Sequence, residues 1–141
     1  MKSPELICVC AAVLRNDDKV LMCSRPPGRH LAGLWEFPGG KVHSGETDEE
    51  CLRREIREEL SVDVFVLDLL GRTSHAYPEK NVEILFYRSF LADAAQKITA
   101  AEKQDHLWIE ARALVKLNVV PADTGFAEWL SSAANADILS V

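Results

Sequence analysis

The sequence predicts an α+β fold, a mixed sheet with helices packed on it, in a single unit spanning residues 1–141. Three observations carry this. At 141 residues the chain is close to the roughly 150 of one domain. Its composition, 48% hydrophobic and 27% charged, is that of a chain that buries a core, which excludes a disordered or fibrous polymer. Strand-like runs come as an early pair and a later group, each followed by a helix, and this order suits helices packed on a shared sheet.

Leu6 to Leu14 is continuously apolar and partly β-branched, as in a buried strand. Asn16-Asp17-Asp18 is a turn signal, and Lys19 to Ser24 resumes as the second arm of a hairpin. From Arg25 to Gly45 eight prolines and glycines interrupt the chain, which predicts a long irregular segment of functional character. The embedded Leu34-Trp35-Glu36-Phe37 argues against disorder there. Thr47 and Glu50 have capping-box spacing, Asp48 and Glu49 suit the positive end of a helix dipole, and helix-forming residues continue to about Leu60. Val62 to Leu70, Arg72 to Tyr77 and Val82 to Leu91 read as strands, with Pro78 to Asn81 as a turn. Leu107 to Ile109 is a short strand and Ala111 to Leu114 a helical turn. Asp123 is expected to cap a last helix running to about Ala133, with a loosely held tail beyond Ala134.

Acidic residues outnumber basic ones by 22 to 16, a net charge of −6. That balance disfavours polymeric nucleic acid and anionic membranes as partners, and leaves a small phosphorylated molecule open. No apolar stretch approaches the roughly 18 residues of a membrane span, and Pro4 and Glu5 break the N-terminal run, which reads as a strand and not a signal peptide. Cys8, Cys10, Cys23 and Cys51 include no C-x-x-C pair, so reduced thiols and a cytoplasmic location are expected.

The first helix carries the chemistry. At about 100° per residue, with Glu55 as zero, Glu59 lies near +40° and Glu58 near −60°. Leu52, Ile56 and Leu60 form a stripe beside them that seats the helix on a sheet. Three adjoining carboxylates repel one another, and a hard divalent cation relieves that repulsion. Taken alone, the run also reads as a solvated face balanced by Arg53, Arg54 and Arg57. Gly39-Gly40 before the helix allows a backbone carbonyl to approach closely, and Glu46 can hold the loop or orient Arg54.

Gly40, Glu46, Arg54, Glu55, Ile56, Glu58, Glu59 and Val62 together spell G-x5-E-x7-R-E-I-x-E-E-x-S-V. This resembles the Nudix box at eight fixed positions, departing only at Ser61, where that family has a helix-ending glycine. Leu34 to Val42, Cys23-Ser24-Arg25-Pro26 and Val120-Pro121-Ala122-Asp123 are similar to segments of MutT-type nucleoside triphosphate pyrophosphohydrolases. The resemblance covers about residues 5 to 132, by pattern only between about 63 and 118, and implies a Nudix α/β/α sandwich with a mixed central sheet.

The same resemblance implies that Glu55, Glu58, Glu59 and the Gly39 carbonyl hold Mg²⁺, or Mn²⁺, with Glu55 nearest the attacking water. Glu102, in the polar segment before a strand, is either a further metal ligand or an exposed loop charge. Arg25 would contact phosphates, while His30 and Lys41 lie where they can approach the nucleotide. Glu36, Pro38 and Gly39 belong to the same substrate-binding segment, and Phe37 and Tyr77 either flank the base or are core. Trp35, Trp108 and Trp129 read as structural. Asp123 stands where the MutT enzymes read the base edge. As an ionised carboxylate it would accept from cytosine or guanine-type donors, besides its possible role as a cap.

The implied activity is Mg²⁺-dependent hydrolysis of (deoxy)nucleoside triphosphates to monophosphate and pyrophosphate, with 8-oxo-dGTP leading and mutation avoidance as its purpose. A (d)CTP or modified-cytidine pyrophosphohydrolase is the close alternative. By the same resemblance a nucleotide-sugar hydrolase fits less well, because the Glu36-Phe37-Pro38-Gly39-Gly40 entry points away from it, and a non-catalytic nucleotide-binding module fits less well because every box glutamate is kept. The expected assembly is a monomer or weak homodimer.

Overall fold

In the computed structural model, which describes residues 5–100 and 104–140, the elements follow the predicted order. They are β1 (Glu5–Asn16), β2 (Lys19–Ser24), β3 (Trp35–Glu36), β4 (Gly39–Lys41), α1 (Asp48–Leu60), β5 (Val64–Ala76), β6 (Lys80–Leu91), β7 (His106–Glu110), α2 (Pro121–Ser131) and α3 (Ala133–Ala136). The 3-10 turns Ala111–Lys116 and Asp137–Ser140 complete them.

The sheet runs β3-β2-β1-β6-β5, with β4 also on β1 and β7 also on β2. It is mixed, because β1 and β6 are parallel from Glu5↔Lys80 to Leu14↔Ser89 while the other pairs are antiparallel. One side of β1 is shared: Arg15 and Asn16 pair with β2, and Val9 to Ala11 pair with β4. This fork brings the glycine pair of β4 beside α1.

Alternation along β1 builds two cores. Cys10, Ala12 and Leu14 pack with Leu52, Ile56 and Leu60 of α1, the stripe read from the helix period. Ala11 and Val13 face the other way, against Phe86, Phe126, Leu130 and Leu139. The result is a sheet between helices, as the fold class required. No helix among the described residues is long and apolar enough to cross a membrane. Cys10, Cys23 and Cys51 are free and buried, and Cys8 is free and exposed.

Four expectations are corrected. The two predicted strands Val62 to Leu70 and Arg72 to Tyr77 are one strand, β5, whose register shifts on β6 between Val66 and Leu69 and again before Gly71. Gly71 marks the irregularity because a Cβ there would stand 3.0 Å from the Phe126 ring. The last helix starts two residues early, at Pro121, whose fixed φ and missing N–H suit a first turn. Its N-cap is Val120 and no side chain caps it, so Asp123 is not a cap. The stretch beyond Ala134 is not loose: Ala136 and Leu139 are buried in the second core, and Arg88 donates to the Ile138 carbonyl at 2.8 Å. Finally, the irregular segment contains the short strands β3 and β4, held by Cys23↔Glu36 and Cys10↔Gly40 pairing.

Candidate active site

α1 begins at the predicted capping box: the Glu50 N–H donates to Thr47 Oγ1 at 3.1 Å, and the Thr47 N–H donates to Glu50 Oε1 at 3.0 Å. It ends at Ser61, whose φ of 60° and ψ of 31° are the left-handed conformation that the family's glycine would adopt without strain. Between these ends the helix presents Glu55, Glu58 and Glu59 to one cleft.

Arg54 organises that arc. Its Nε and Nη2 donate to the two oxygens of Glu46 at 2.6 and 2.9 Å, a bidentate fork. Nη2 also donates to the Lys41 carbonyl at 3.0 Å, and Nη1 to Glu55 at 2.8 Å and Glu58 at 3.3 Å. Glu46 further accepts from the His43 N–H at 2.8 Å. The Arg54 fork above all, and then this N–H, bring the Glu46 carboxyl down to about 2. Glu46 thus does both things expected of it, holding the loop and orienting Arg54.

Close backbone approach requires glycine at position 39, while a side chain at position 40 would have to displace the Glu55 carboxylate. A Cβ on Gly39 would strike the Cys10 carbonyl and the Ala11 backbone, and one on Gly40 would overlap the Glu55 carboxylate. Glu55 therefore nests against the glycine backbone. An all-oxygen set of carboxylates beside a carbonyl-bearing turn is the donor chemistry that Mg²⁺ or Mn²⁺ takes. Among the described residues, no three His, Cys, Asp or Glu side chains close into a ligand cage, and Arg54 neutralises Glu55 and Glu58 instead.

The carboxylate cleft, about 260 Å³, is also lined by Arg25, Pro26, Arg29, Glu36 and Gln104. Arg25, Arg29, Glu36 and Glu59 also line a neighbouring cleft of about 350 Å³. Arg25 donates from Nε to the His30 carbonyl at 3.1 Å and pairs through Nη1 with Glu36 at 3.5 Å. Burial raises the Glu36 carboxyl, and Arg25 works against that rise.

Asp123 also lines the second cleft. It is 3% exposed, and Oδ2 accepts the Phe37 N–H at 3.0 Å. Burial pushes its carboxyl up to about 8, the Phe37 N–H opposes this, and Glu36 adds to it. Desolvation thus favours the protonated form of the carboxyl that was expected as an ionised acceptor, and a protonated carboxyl donates as well as accepts. Tyr77 lines the same cleft, with His30 5.7 Å and His75 4.5 Å away in edge-on contacts and the Lys80 ammonium 5.8 Å from its ring. Burial first, and then Asp123, raise the Tyr77 hydroxyl.

Of the residues singled out from sequence, Arg25, His30, Glu36, Phe37, Gly39, Lys41, Tyr77 and Asp123 line this second cleft. Phe37 is at the same time core, with ring centroids 5.5 Å from Phe86 and from Phe126. Pro38 is buried and lines neither cleft, and its carbonyl accepts the Ala12 N–H at 2.7 Å, tying the turn to β1. Glu102 lies outside the described residues. Trp35 and Trp108 pack partly buried against the two cores, while Trp129 is more exposed and rests on Phe126.

Sequence reasoning missed Arg29, Gln104 and the apolar floor of Ile7, Val9, Val82 and Ile84. The period-2 alternation of Val82, Ile84 and Phe86 marks a face of β6, but the end left uncovered by α2 depends on the parallel β1–β6 register. Nothing in the local pattern marks Arg29 or Gln104.

The helix, the glycine turn and the two joined clefts define a family. The NUDIX domain model matches residues 5–130, and the chain belongs to the Nudix family of hydrolases. It is 32% identical over 120 residues to the 8-oxo-dGTP diphosphatase of Haemophilus influenzae, covering 84% of this chain and 87% of that one. It is 32% identical over 124 residues to the CTP pyrophosphohydrolase of Escherichia coli K12, covering 88% and 90%. Among solved structures, the MutT protein of methicillin-resistant Staphylococcus aureus 252, a Nudix hydrolase, superposes with a TM-score of 0.72. That pair is 33% identical, with coverage of 92% of this chain and 98% of the other.

Proposed function

We propose that this hydrolase splits (deoxy)nucleoside triphosphates into monophosphate and pyrophosphate in a Mg²⁺-dependent reaction, with 8-oxo-dGTP as its leading substrate. The observation that carries this is continuity. Glu55, Glu58 and Glu59 line one cleft, which shares Arg25, Arg29, Glu36 and Glu59 with a second that Asp123 also lines. A triphosphate and its base need such a pair of joined compartments.

Glu55, Glu58, Glu59 and the Gly39 carbonyl would hold Mg²⁺ or Mn²⁺, with Glu102 as a further ligand. When bound, such a cation neutralises phosphate charge and lowers the pKa of a coordinated water. Glu55 is the carboxylate assigned to the attacking water, because Arg54 and the glycine turn fix it in place. Arg25 exchanges its contacts with Glu36 and the His30 carbonyl for a phosphate oxygen, a planar donor meeting an anion. Tyr77 flanks the base, and Asp123 meets its edge. His30 and Lys41 approach the nucleotide from the cleft wall.

A second reading, (d)CTP hydrolysis, fits Asp123 equally well. A protonated carboxyl pairs donor to acceptor with cytosine N3 and N4–H₂ as well as with the O6 and N1–H of guanine-type bases. The similarity to a CTP pyrophosphohydrolase points the same way. The deciding measurement is kcat/KM for pyrophosphate release with Mg²⁺ on 8-oxo-dGTP, dGTP, CTP, dCTP and 5-methyl-dCTP. About tenfold preference for 8-oxo-dGTP over dGTP, near 1.4 kcal/mol, supports the leading reading. Preference for the cytidine nucleotides transfers the assignment to the second. Glu58→Gln is expected to cut turnover by on the order of a hundredfold or more, beyond the loss of an outer metal partner, with the melting curve retained. Wild-type turnover that survives exhaustive chelation would refute the metal assignment.

A further inference from the structure

Ser24, the last residue of β2, is joined to the start of β7 by more than the sheet ladder. Its N–H donates to the Asp105 carbonyl at 2.9 Å, and its largely buried hydroxyl accepts the Asp105 N–H at 2.8 Å. Its carbonyl accepts from Gln104 Nε2 at 3.0 Å. A carbonyl oxygen can only accept, so this contact fixes which end of the Gln104 amide faces Ser24: it must be the nitrogen. One N–H is used there and a second remains.

Gln104 also lines the carboxylate cleft, where it is the uncharged polar side chain among the described lining residues. Its neighbours around that cleft include Glu36, Glu55, Glu58 and Glu59. A triphosphate entering so acidic a site gains from every donor that carries no competing negative charge. An amide anchored at one hydrogen loses little freedom when the other is used.

We infer that Gln104 contacts the substrate, its second amide N–H donating to a phosphate oxygen, with the Ser24 carbonyl as the group that holds it in position. This rests on the nucleotide reading above and assigns one more donor to the same site. Oxygens of a phosphate anion accept and do not donate, so only the nitrogen end of the amide serves, which is the end the Ser24 contact fixes.

The test compares wild type with Gln104→Ala and Gln104→Glu. The probes are equilibrium binding of a non-hydrolysable α,β-methylene nucleoside triphosphate with Mg²⁺, and steady-state kinetics on the best substrate of the nucleotide panel. A hydrogen bond to a charged group predicts a Kd about tenfold weaker for Gln104→Ala. Gln104→Glu, which keeps the length and loses the donor, should weaken it further. The Mg²⁺ concentration for half-maximal activity and the melting temperature should stay at wild-type values in Gln104→Ala. Binding within twofold of wild type in both variants overturns the contact. So does a loss that moves in step with Mg²⁺ activation or melting, which is the signature of a structural role. Wild-type protein that binds the analogue without hydrolysing nucleotides would sink the hydrolysis reading alone, and one that binds no analogue would sink both.

Discussion

Asp123 shows how far one side chain can be moved from its reference chemistry. It lies buried against the Phe37 N–H, and its carboxyl is pushed from the ordinary range near 4 up to about 8. The folded chain therefore holds the proton more tightly than the unfolded one. Stability from this group is complete below about pH 4 and drains away as the pH climbs to about 8. Asn at this position cannot ionise and still offers an oxygen to Phe37. For Asp123→Asn, the melting temperature relative to wild type should rise between pH 4 and 8 and level off outside that window. A difference that stays flat across the window would mean that the carboxyl does not hold its proton in the fold. The same variant should change base preference more than maximal rate, and an equal loss on every nucleotide would remove Asp123 from base reading.

At the scale of elements, α1 is doubly specified, by its caps and by its two faces. The capping box starts it, and Leu52, Ile56 and Leu60 seat it so that the neighbouring arc reaches the cleft. Its C-terminal end is less well made. Ser61 takes the left-handed conformation at a cost that glycine avoids, while its N–H still donates to the Arg57 carbonyl at 3.1 Å. Ser61→Gly is expected to stabilise the chain by about 0.5–1 kcal/mol, the gain being trimmed by the freer unfolded chain. Thermal unfolding should then move up by roughly 2–5 °C with catalysis unchanged. A lower melting temperature would show that the serine side chain contributes something glycine cannot replace.

Across the whole molecule, the C-terminal residues close the second core. Leu139 is fully buried with Phe86, Phe126 and Leu130, and Arg112 pairs with Asp137 at 2.7 Å across the same seam. That exposed pair contributes little, whereas the leucine contributes through burial. Leu139→Ala should cost about 2–5 kcal/mol, the range for emptying a packed core position. That corresponds to a fall of roughly 6 °C or more in melting temperature. A change under about 0.5 kcal/mol would mean that the tail is not part of the cooperative unit.

The order of the elements, the helix with its caps and stripe, and the carboxylate arc were legible in the sequence because each rests on interactions a few residues apart. Capping-box spacing, a 3.6-residue period and the Ser61 end are local, and the fold kept all three. Long-range pairing decided the rest. The β5–β6 register merged two predicted strands around Gly71, and burial of Leu139 anchored a tail whose composition reads as loose. Asp123 followed the same logic: its sequence position suits a cap, but Pro121 starts the helix and turns the carboxyl inward to Phe37. Its protonation, the pairing of Arg25 with Glu36 and the place of Gln104 beside Ser24 depend on which distant segments meet. Contact and desolvation set charge and hydrogen bonding there, and both are properties of the packed chain.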